Sequence, residues 1–450
     1  MRQPDRSVPR AASRTVAIAA SLIAAVLAGA CTDRADRADR ADRGQGDEWS
    51  QWRGPGGLGI SNRAGLPVVW DQDGTGIKWS APIDGFGTSS PIVADGVVFL
   101  TSAKESEEGV ALQVHAFDLA SGESLWQTPV AHRQRERRHR VNSSAGPTPV
   151  TDGEMVFAYF GSHLVALDRE GKTVWVREID PDYLKESRYG AGTSPILYED
   201  LVILLRDREY LKDQLIGWIA AYDKTTGEQV WRRQWQDSCC SYTTPLVVED
   251  GSGGEELFVV LAGYVVALDP RTGEELRRAD QVIAQPVASP VLEDDLICVA
   301  SGAHSYREVG CWQVVEDAGK TNWNLLWKFA KWVPDSSSPI LQDGRLYMVT
   351  EQGVMRCLDA LTGKLQWRLR LEDPPYRASL VAGEGNLYAL GGTGAVAVVS
   401  MADGSIVSEN QLAESLYVAS PAIAGDCILF RGADALHCVV GADQEREKGE

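Results

Sequence analysis

Ala116-Phe-Asp118-Leu-Ala-Ser-Gly122-Glu-Ser-Leu-Trp126 decides the fold, because the chain writes the same phrase again elsewhere. It returns as Ala221-Tyr-Asp223 to Gly227 and Trp231, and, one residue shorter in the turn, as Ala166-Leu-Asp168 to Gly171 and Trp175. Degraded copies stand at Ala267, Asp269 and Gly273 with Arg277 in the Trp slot, and at Cys357, Asp359, Gly363 and Trp367 with Cys in the Ala slot. Self-similarity at a fixed period means an array of like units.

A second marker fixes the period. Ser/Thr-Pro precedes an apolar run at Ser90-Pro91, Thr148-Pro149, Ser194-Pro195, Thr244-Pro245, Ser289-Pro290, Ser338-Pro339 and Ser420-Pro421, and Ser379-Leu380 keeps the phase without the proline. The steps are 58, 46, 50, 45, 49, 41 and 41 residues. Within a unit, short β-rich runs alternate with turns, as in 339–341, 345–350, 354–358 and 365–371. Four strands per roughly 45 residues is the cadence of a propeller blade. The last unit, from Ala419 to about Val440, has three runs, while Gly76-Ile-Lys-Trp79-Ser-Ala-Pro-Ile83 is an orphan fourth strand with its Trp in phase. The expected fold is therefore an all-β, eight-bladed propeller of four-stranded antiparallel blades over residues 76–441, with the N-terminal strand closing the last blade. Closure removes the open ends of the array.

The repeat has a direct physical reading. Asp118 accepts backbone N–H bonds across the turn, Gly122 takes positive φ, and Trp126 carries a large flat surface into the seam between neighbouring sheets. Seams where the Trp is lost, at Arg277 and Ser408, are expected to dock more weakly. Cys357 and Cys438 fill the slot held elsewhere by Ala116, Ala166, Ala221 and Ala267, where a small buried side chain suffices.

The phrase Ala-x-Asp-x-x-x-Gly-x-x-x-Trp resembles the tryptophan-docking repeat of pyrroloquinoline-quinone-type (PQQ-like) propellers. That family holds quinoprotein dehydrogenases and also non-catalytic relatives such as the lipoprotein subunit of the outer-membrane β-barrel assembly machinery. The resemblance spans about Gly76 to Gly441 and speaks for fold far more than for activity.

The N-terminus implies export. Arg2, Arg6, Arg10 and Arg14 precede an apolar stretch from Val16 to Ala28, and Ala-Gly-Ala-Cys31 ends it with small residues. The stretch is short for a membrane span and reads as a signal over residues 1–30. Its end resembles a bacterial lipobox with Cys31 as the lipidated residue, although Ala28 stands where Leu is usual; a small-residue signal-peptidase site is the alternative. With Thr32 after the cysteine, the resemblance implies the periplasmic side of the outer membrane, against a soluble periplasmic or secreted protein otherwise. Residues 31–48, with Asp33-Arg-Ala repeated to Arg43, form a charge-balanced tether. Residues 49–75 are a Trp/Gly/Pro strap carrying Trp49, Trp52 and Trp70, expected on the outside of the propeller or across one face; similar straps precede propellers in the family. Residues 442–450 are a charged tail.

Composition excludes some functions. The formal charge is −19, and removing residues 1–30, with four Arg and one Asp, makes it −22. Nucleic acid and anionic lipid surfaces are thereby disfavoured as partners, and membrane attachment is expected only through the N-terminal anchor of an otherwise monomeric propeller. Of eight cysteines, Cys298 with Cys311 and Cys427 with Cys438 have spacings compatible with facing each other in hairpins. No zinc spacing and no Cys-x-x-Cys-His haem motif occurs.

The candidate functional face is the set of loops joining one blade's last strand to the next blade's first, which converge at the channel mouth. They carry Arg140, Asn142, Arg188, Tyr189, Tyr242, Gln285, Trp332, Asp335, Tyr376, Arg377 and Tyr417. Recurring Arg and Tyr at one phase is the composition of a recognition surface for an envelope protein or a small anionic ligand. The alternative is that the tyrosines pack loops and the arginines offset acids. The run His132 to Arg140, with five Arg and two His, is expected to protrude there, either as a solvated loop or toward an anionic partner. Cys239-Cys240 lies in one such loop, and quinoprotein alcohol dehydrogenases carry a vicinal disulfide over the quinone in a comparable one. The resemblance thus implies PQQ with Ca²⁺ as the cofactor if the protein is a quinoprotein dehydrogenase. No motif places the carboxylate and amide that hold the metal, nor the Asp base, and neither a facing carboxylate pair nor a nucleophile elbow stands out. A non-catalytic binding or scaffolding module is the favoured expectation, with an outer-membrane assembly subunit as a further alternative.

Overall fold

In the computed structural model, residues 49–71, 74–180, 189–206, 217–235, 241–249, 254–280, 286–301, 307–317 and 320–441 are described. The signal, tether and tail segments fall outside them, as do Cys31, Arg188, Cys239, Cys240 and Gln285. Eight antiparallel sheets follow one another along the chain. Blades 1 to 7 run over residues 92–133, 150–178, 196–235, 246–280, 291–329, 340–370 and 381–411, and blade 8 combines 422–440 with Ile77–Pro82. The N-terminal strand pairs antiparallel with Ala435–Val440, Ile77 facing Val439 and Trp79 facing Cys438. Closure by the orphan strand is as expected, and the strands of blade 6 fall within a residue or two of the runs read from sequence.

Burial orders each blade from the inside out. First and middle strands are almost wholly buried, whereas outermost strands alternate, as in Gln229–Trp235 with only Trp231 and Trp235 buried. The apolar core is accordingly distributed between neighbouring sheets rather than gathered in one mass.

Two devices couple the blades. On the outside, each Trp docks on the next blade's turn. Trp79, Trp126, Trp175 and Trp231 donate their indole N–H to the carbonyls of Leu119, Arg169, Lys224 and Pro270 at 2.9–3.1 Å. Each ring lies on the turn glycine, so closely that a methyl added to Gly122, Gly171, Gly227 or Gly273 would sit 2.4–2.7 Å from it. Trp327 and Trp367 repeat the arrangement on blades 6 and 7. The Asp of the phrase caps the turn: Asp118 accepts from the Ser121 N–H at 2.7 Å and Asp223 from the Thr226 N–H at 2.7 Å.

On the inside, the Ser/Thr of the second marker forms a closed circuit. The N–H of Ser90 donates to the Thr148 hydroxyl, Thr148 to Ser194, Ser194 to Thr244, Thr244 to Ser289, Ser289 to Ser338, Ser338 to Ser379, Ser379 to Ser420, and Ser420 back to Ser90, at 2.9–3.2 Å. All eight residues are buried.

The seams without Trp, where weaker docking is expected, are filled in other ways. Arg277 pairs with Glu256 of its own blade and covers Phe258, on which Trp323 of blade 5 stacks at 5.2 Å, so the aromatic comes from the opposite side of the seam. At Ser408 the strap intervenes: the Ser408 hydroxyl donates to the Val68 carbonyl, Trp70 N–H donates to Asn410 Oδ1 at 2.9 Å, and the buried Trp70 ring lies 5.6 Å from Phe430. Cys298 and Cys311 face each other in blade 5 and form a disulfide. Cys427 and Cys438 share a hairpin but are out of register, facing Val440 and Leu429, and both are free, buried thiols. The adjoining Cys427 thiol and burial push Cys438 up.

Because Trp175 is only 6% exposed and packs within the apolar cluster between blades 2 and 3, Trp175→Ala is expected to lower the unfolding free energy by about 3–5 kcal/mol. The neighbouring Val174, 47% exposed, is the control: Val174→Ala should stay within about 0.5 kcal/mol in the same urea unfolding experiment.

Candidate functional site

The strap and the loops treat the two ends of the channel differently. First strands face the channel, and the strap pairs with two of them: Val93 N–H donates to the Trp49 carbonyl at 2.9 Å, and Ile60–Ser61 runs parallel to Ala382–Gly383. Between those points Ser50 accepts from Thr151 of blade 2, Gly57 lies against Leu246 of blade 4, and Arg53 reaches the Pro339 carbonyl of blade 6 at 2.6 Å. Contacts with blades 1, 2, 4, 6 and 7 mean that residues 49–61 cross the end of the channel. Of the two places expected for the strap, this segment takes the one across a face. Positive φ at Arg53, Gly54, Gly56, Gly57 and Gly59 lets the chain coil there.

The inter-blade loops lie at the other end and grip one another. Asn142 Nδ2 donates to the carbonyls of Tyr189 and Ala191 at 2.8 and 3.1 Å, tying the loop after blade 1 to the loop after blade 2. Tyr189 packs 6.4 Å from His139 and meets Tyr242 edge-on at 6.3 Å, and the Tyr242 N–H donates to Pro286 at 2.9 Å. Asn142, Tyr189 and Tyr242 are thus brought together, with Tyr189 38% exposed at the centre. Arg140 is exposed beside them.

The other expected site residues are placed apart from this cluster. Tyr376 and Tyr417 are buried, and each hydroxyl donates to the carbonyl four residues earlier, Glu372 at 2.6 Å and Ala413 at 2.8 Å, so both hold their loops from within. Arg377 pairs with Glu351, and Asp335 is half-buried in the loop that presents Trp332, 53% exposed. The basic run protrudes only in part. Arg133 turns inward to a buried pair with Glu136 at 2.9 Å, and Arg138 pairs with Glu105, while Arg137 and Arg140 stay exposed.

Sequence reading passed over a buried polar cluster where blade 8 meets blade 1. Arg431 donates to the carbonyls of Ser89 and Thr101, both at 2.7 Å, and to the Ser89 hydroxyl. His115 Nε2 lies 2.7 Å from the Ser102 hydroxyl. Burial, and then the Arg431 guanidinium, push the imidazole down to about 4. Nothing in the repeat flags these residues, since each occurs in one blade.

A quinone with a divalent cation needs a metal-binding carboxylate with an amide beside it. Among the described residues no three His, Cys, Asp or Glu side chains are grouped to hold a metal. A cleft of about 510 Å³ beside the outer strand of blade 7 carries Asp71, Glu372, Asp373 and Glu409, and these too fall short of a metal-holding group.

Comparisons with known proteins agree with the architecture. A family model described as outer membrane protein assembly factor BamB matches residues 111–352 and 324–448. The quinoprotein ethanol dehydrogenase of Pseudomonas aeruginosa is 25% identical over 257 residues, 48% of this chain and 38% of that one. The outer membrane protein assembly factor BamB of Kangiella koreensis is 25% identical over 227 residues, half of each chain. This chain therefore spans about half or less of the length of these relatives. Among solved structures, the quinohemoprotein alcohol dehydrogenase from Comamonas testosteroni superposes with a TM-score of 0.63 at 13% identity, covering 89% of this chain and 81% of that one, which speaks for the fold alone.

The depressed His115 makes a pH prediction. Its folded value lies below the ordinary unfolded value of about 6.5, so its contribution is complete above pH 6.5 and is lost as pH falls toward 4. Between pH 7 and 4.5 the wild-type protein should lose about 2–3 kcal/mol more stability than His115→Gln in urea unfolding. Equal losses would mean that another group carries the acid sensitivity.

Proposed function

We propose that this chain, which belongs to the PQQ-like repeat propeller family, is a non-catalytic recognition module of the cell envelope that holds a segment of an envelope protein on its inter-blade loop face. The observation that carries the reading is the asymmetry of the channel ends. One is crossed by the strap, and the other presents Tyr189 on the mutually braced loops after blades 1, 2 and 3, with Trp332 exposed on a separate loop. Braced aromatic side chains lose little freedom on binding, which is what a recognition surface needs. In this reading the export signal and Cys31 would hold the module in the envelope, as a lipoprotein on the periplasmic side of the outer membrane. The similarity to outer membrane protein assembly factors supports such a setting. A quinone-dependent dehydrogenase is the second reading, and the likeness to the quinoprotein ethanol dehydrogenase is what supports it.

The test has two arms. Photo-crosslinking side chains placed at Tyr189 and at Trp332 in the exporting cell should trap the same discrete protein, whereas one placed at Val230 on the outer rim should not. Arg140→Ser should weaken the Tyr189 crosslink. In the second arm, titration with PQQ and Ca²⁺ should leave the melting temperature unchanged. Saturable quinone binding would replace the recognition module by an enzyme, and crosslinks equal at all three positions would remove the loop face as the site.

A further inference from the structure

Blade 6 sets two arginines against each other. Arg356 and Arg368 stand directly opposite on its third and outermost strands, a placement at which like charges repel, and Arg370 follows two residues on. Side chains alternate along a strand, so the three share one face. That face is turned to blade 5, because the Arg356 guanidinium lies over Phe329 at 4.9 Å, while Cys357 and Trp367 on the other face belong to the cluster shared with blade 7.

These cations are open to solvent and uncompensated. Arg368 and Arg370 are exposed, and Arg356 is half-buried, with Nη1 donating to the Lys331 carbonyl at 3.1 Å and Nε buried without a partner. Burial, and then the charge of Arg368, pull Arg356 below the ordinary arginine range. Among the described residues no carboxylate forms an ion pair with Arg356, Arg368, Arg370 or Lys331, although close by Arg377 takes Glu351 and Lys328 takes Glu308. Acids are not scarce, at 63 against 44 basic residues, yet none is spent here.

The Arg356 contact ties the patch to the loop face. By holding the Lys331 carbonyl, it fixes the foot of the loop that presents Trp332, and Lys331 itself is exposed. Arginine beside an exposed indole is the composition of a binding hot spot, and a guanidinium fork matches the two oxygens of a carboxylate. A carboxylate placed between opposed arginines gains their attraction and also relieves their repulsion. The rest of the propeller, with a formal net charge of −19, repels acidic chains, so the patch also decides where such a chain can land.

We propose that the seam between blades 5 and 6 is the docking site for an acidic segment of the partner held at Trp332, with a carboxylate received between Arg356 and Arg368 and further acids facing Arg370 and Lys331. This rests on the recognition reading and adds to it the chemistry of the partner.

The full-length protein is titrated at constant ionic strength with a capped, dye-labelled hexaglutamate peptide and with its glutamine counterpart, and anisotropy is followed. The glutamate peptide should bind saturably and the glutamine peptide should not. Arg368→Glu and Arg370→Glu, both at exposed positions, should each weaken binding by about tenfold or more, whereas Lys172→Glu on the blade 2 turn should leave it unchanged. Because Arg368→Glu replaces a repulsive pair by an attractive one, its Tm should not fall below that of the wild type. Equal binding of the two peptides, unchanged affinity in Arg368→Glu, or full displacement by equimolar inorganic phosphate overturns the proposal, the last by making the seam a site for a small anion. No peptide binding with the Trp332 crosslink retained in the cell sinks the acidic partner and leaves the recognition face standing; peptide binding without that crosslink sinks the recognition reading instead.

Discussion

Eight backbone N–H groups donating in sequence to eight Ser/Thr hydroxyls form the constraint on which the rest of the molecule depends. Each blade gives one bond and receives one, so no blade can shift without breaking two. A single such bond contributes only about 1 kcal/mol net, but a buried donor left unmade costs more than that. The circuit therefore acts less as a sum of attractions than as a penalty on every arrangement that fails to close. Closure also selects the count of units. The bond from Ser420 to Ser90 exists only because the eighth blade returns to the first, and that return requires Ile77–Pro82 to pair with Ala435–Val440.

The tryptophan docks work at larger radius and are less strict. The inner circuit uses backbone donors and a small hydroxyl, so it repeats without exception, whereas the outer dock is a packing problem with several solutions. Phe258 with Trp323 fills one seam from the far side, and Val68 with Trp70 fills another from the strap. Apolar surface can be supplied by any chain segment that reaches the gap; a hydrogen-bond circuit cannot be patched in that way.

This difference explains what the sequence disclosed. The Ser/Thr phase, kept even at Ser379-Leu380 where the proline is gone, gave the period, and the orphan Trp79 strand gave the closure. That the hydroxyl rather than the proline is the working group was legible at Ser379, the one unit that separates the two. The cysteine hairpin was legible only to within two residues, because register depends on the turn and Cys427 faces Val440 rather than Cys438. Tyr376 and Tyr417 share the phase of Tyr189 yet are buried; a loop phase fixes where a residue stands on the ring, not which way its ring points. Arg53, Arg431 and His115 were illegible for a further reason: repeat analysis weights what recurs, and these residues occur once.

What occurs once is also where function has to be sought. Eightfold repetition is neutral toward chemistry, since the circuit and the docks are made by residues that every blade shares and that are used up in making it. The same scaffold can therefore serve proteins named as alcohol dehydrogenases and as membrane-protein assembly factors. In this chain the departures from symmetry are the strap across one channel end, the linked loops after blades 1, 2 and 3, and two guanidiniums bracketing the inner circuit. The first closes a route that a channel-bound substrate would use from that side, and the second stiffens a surface on the opposite side.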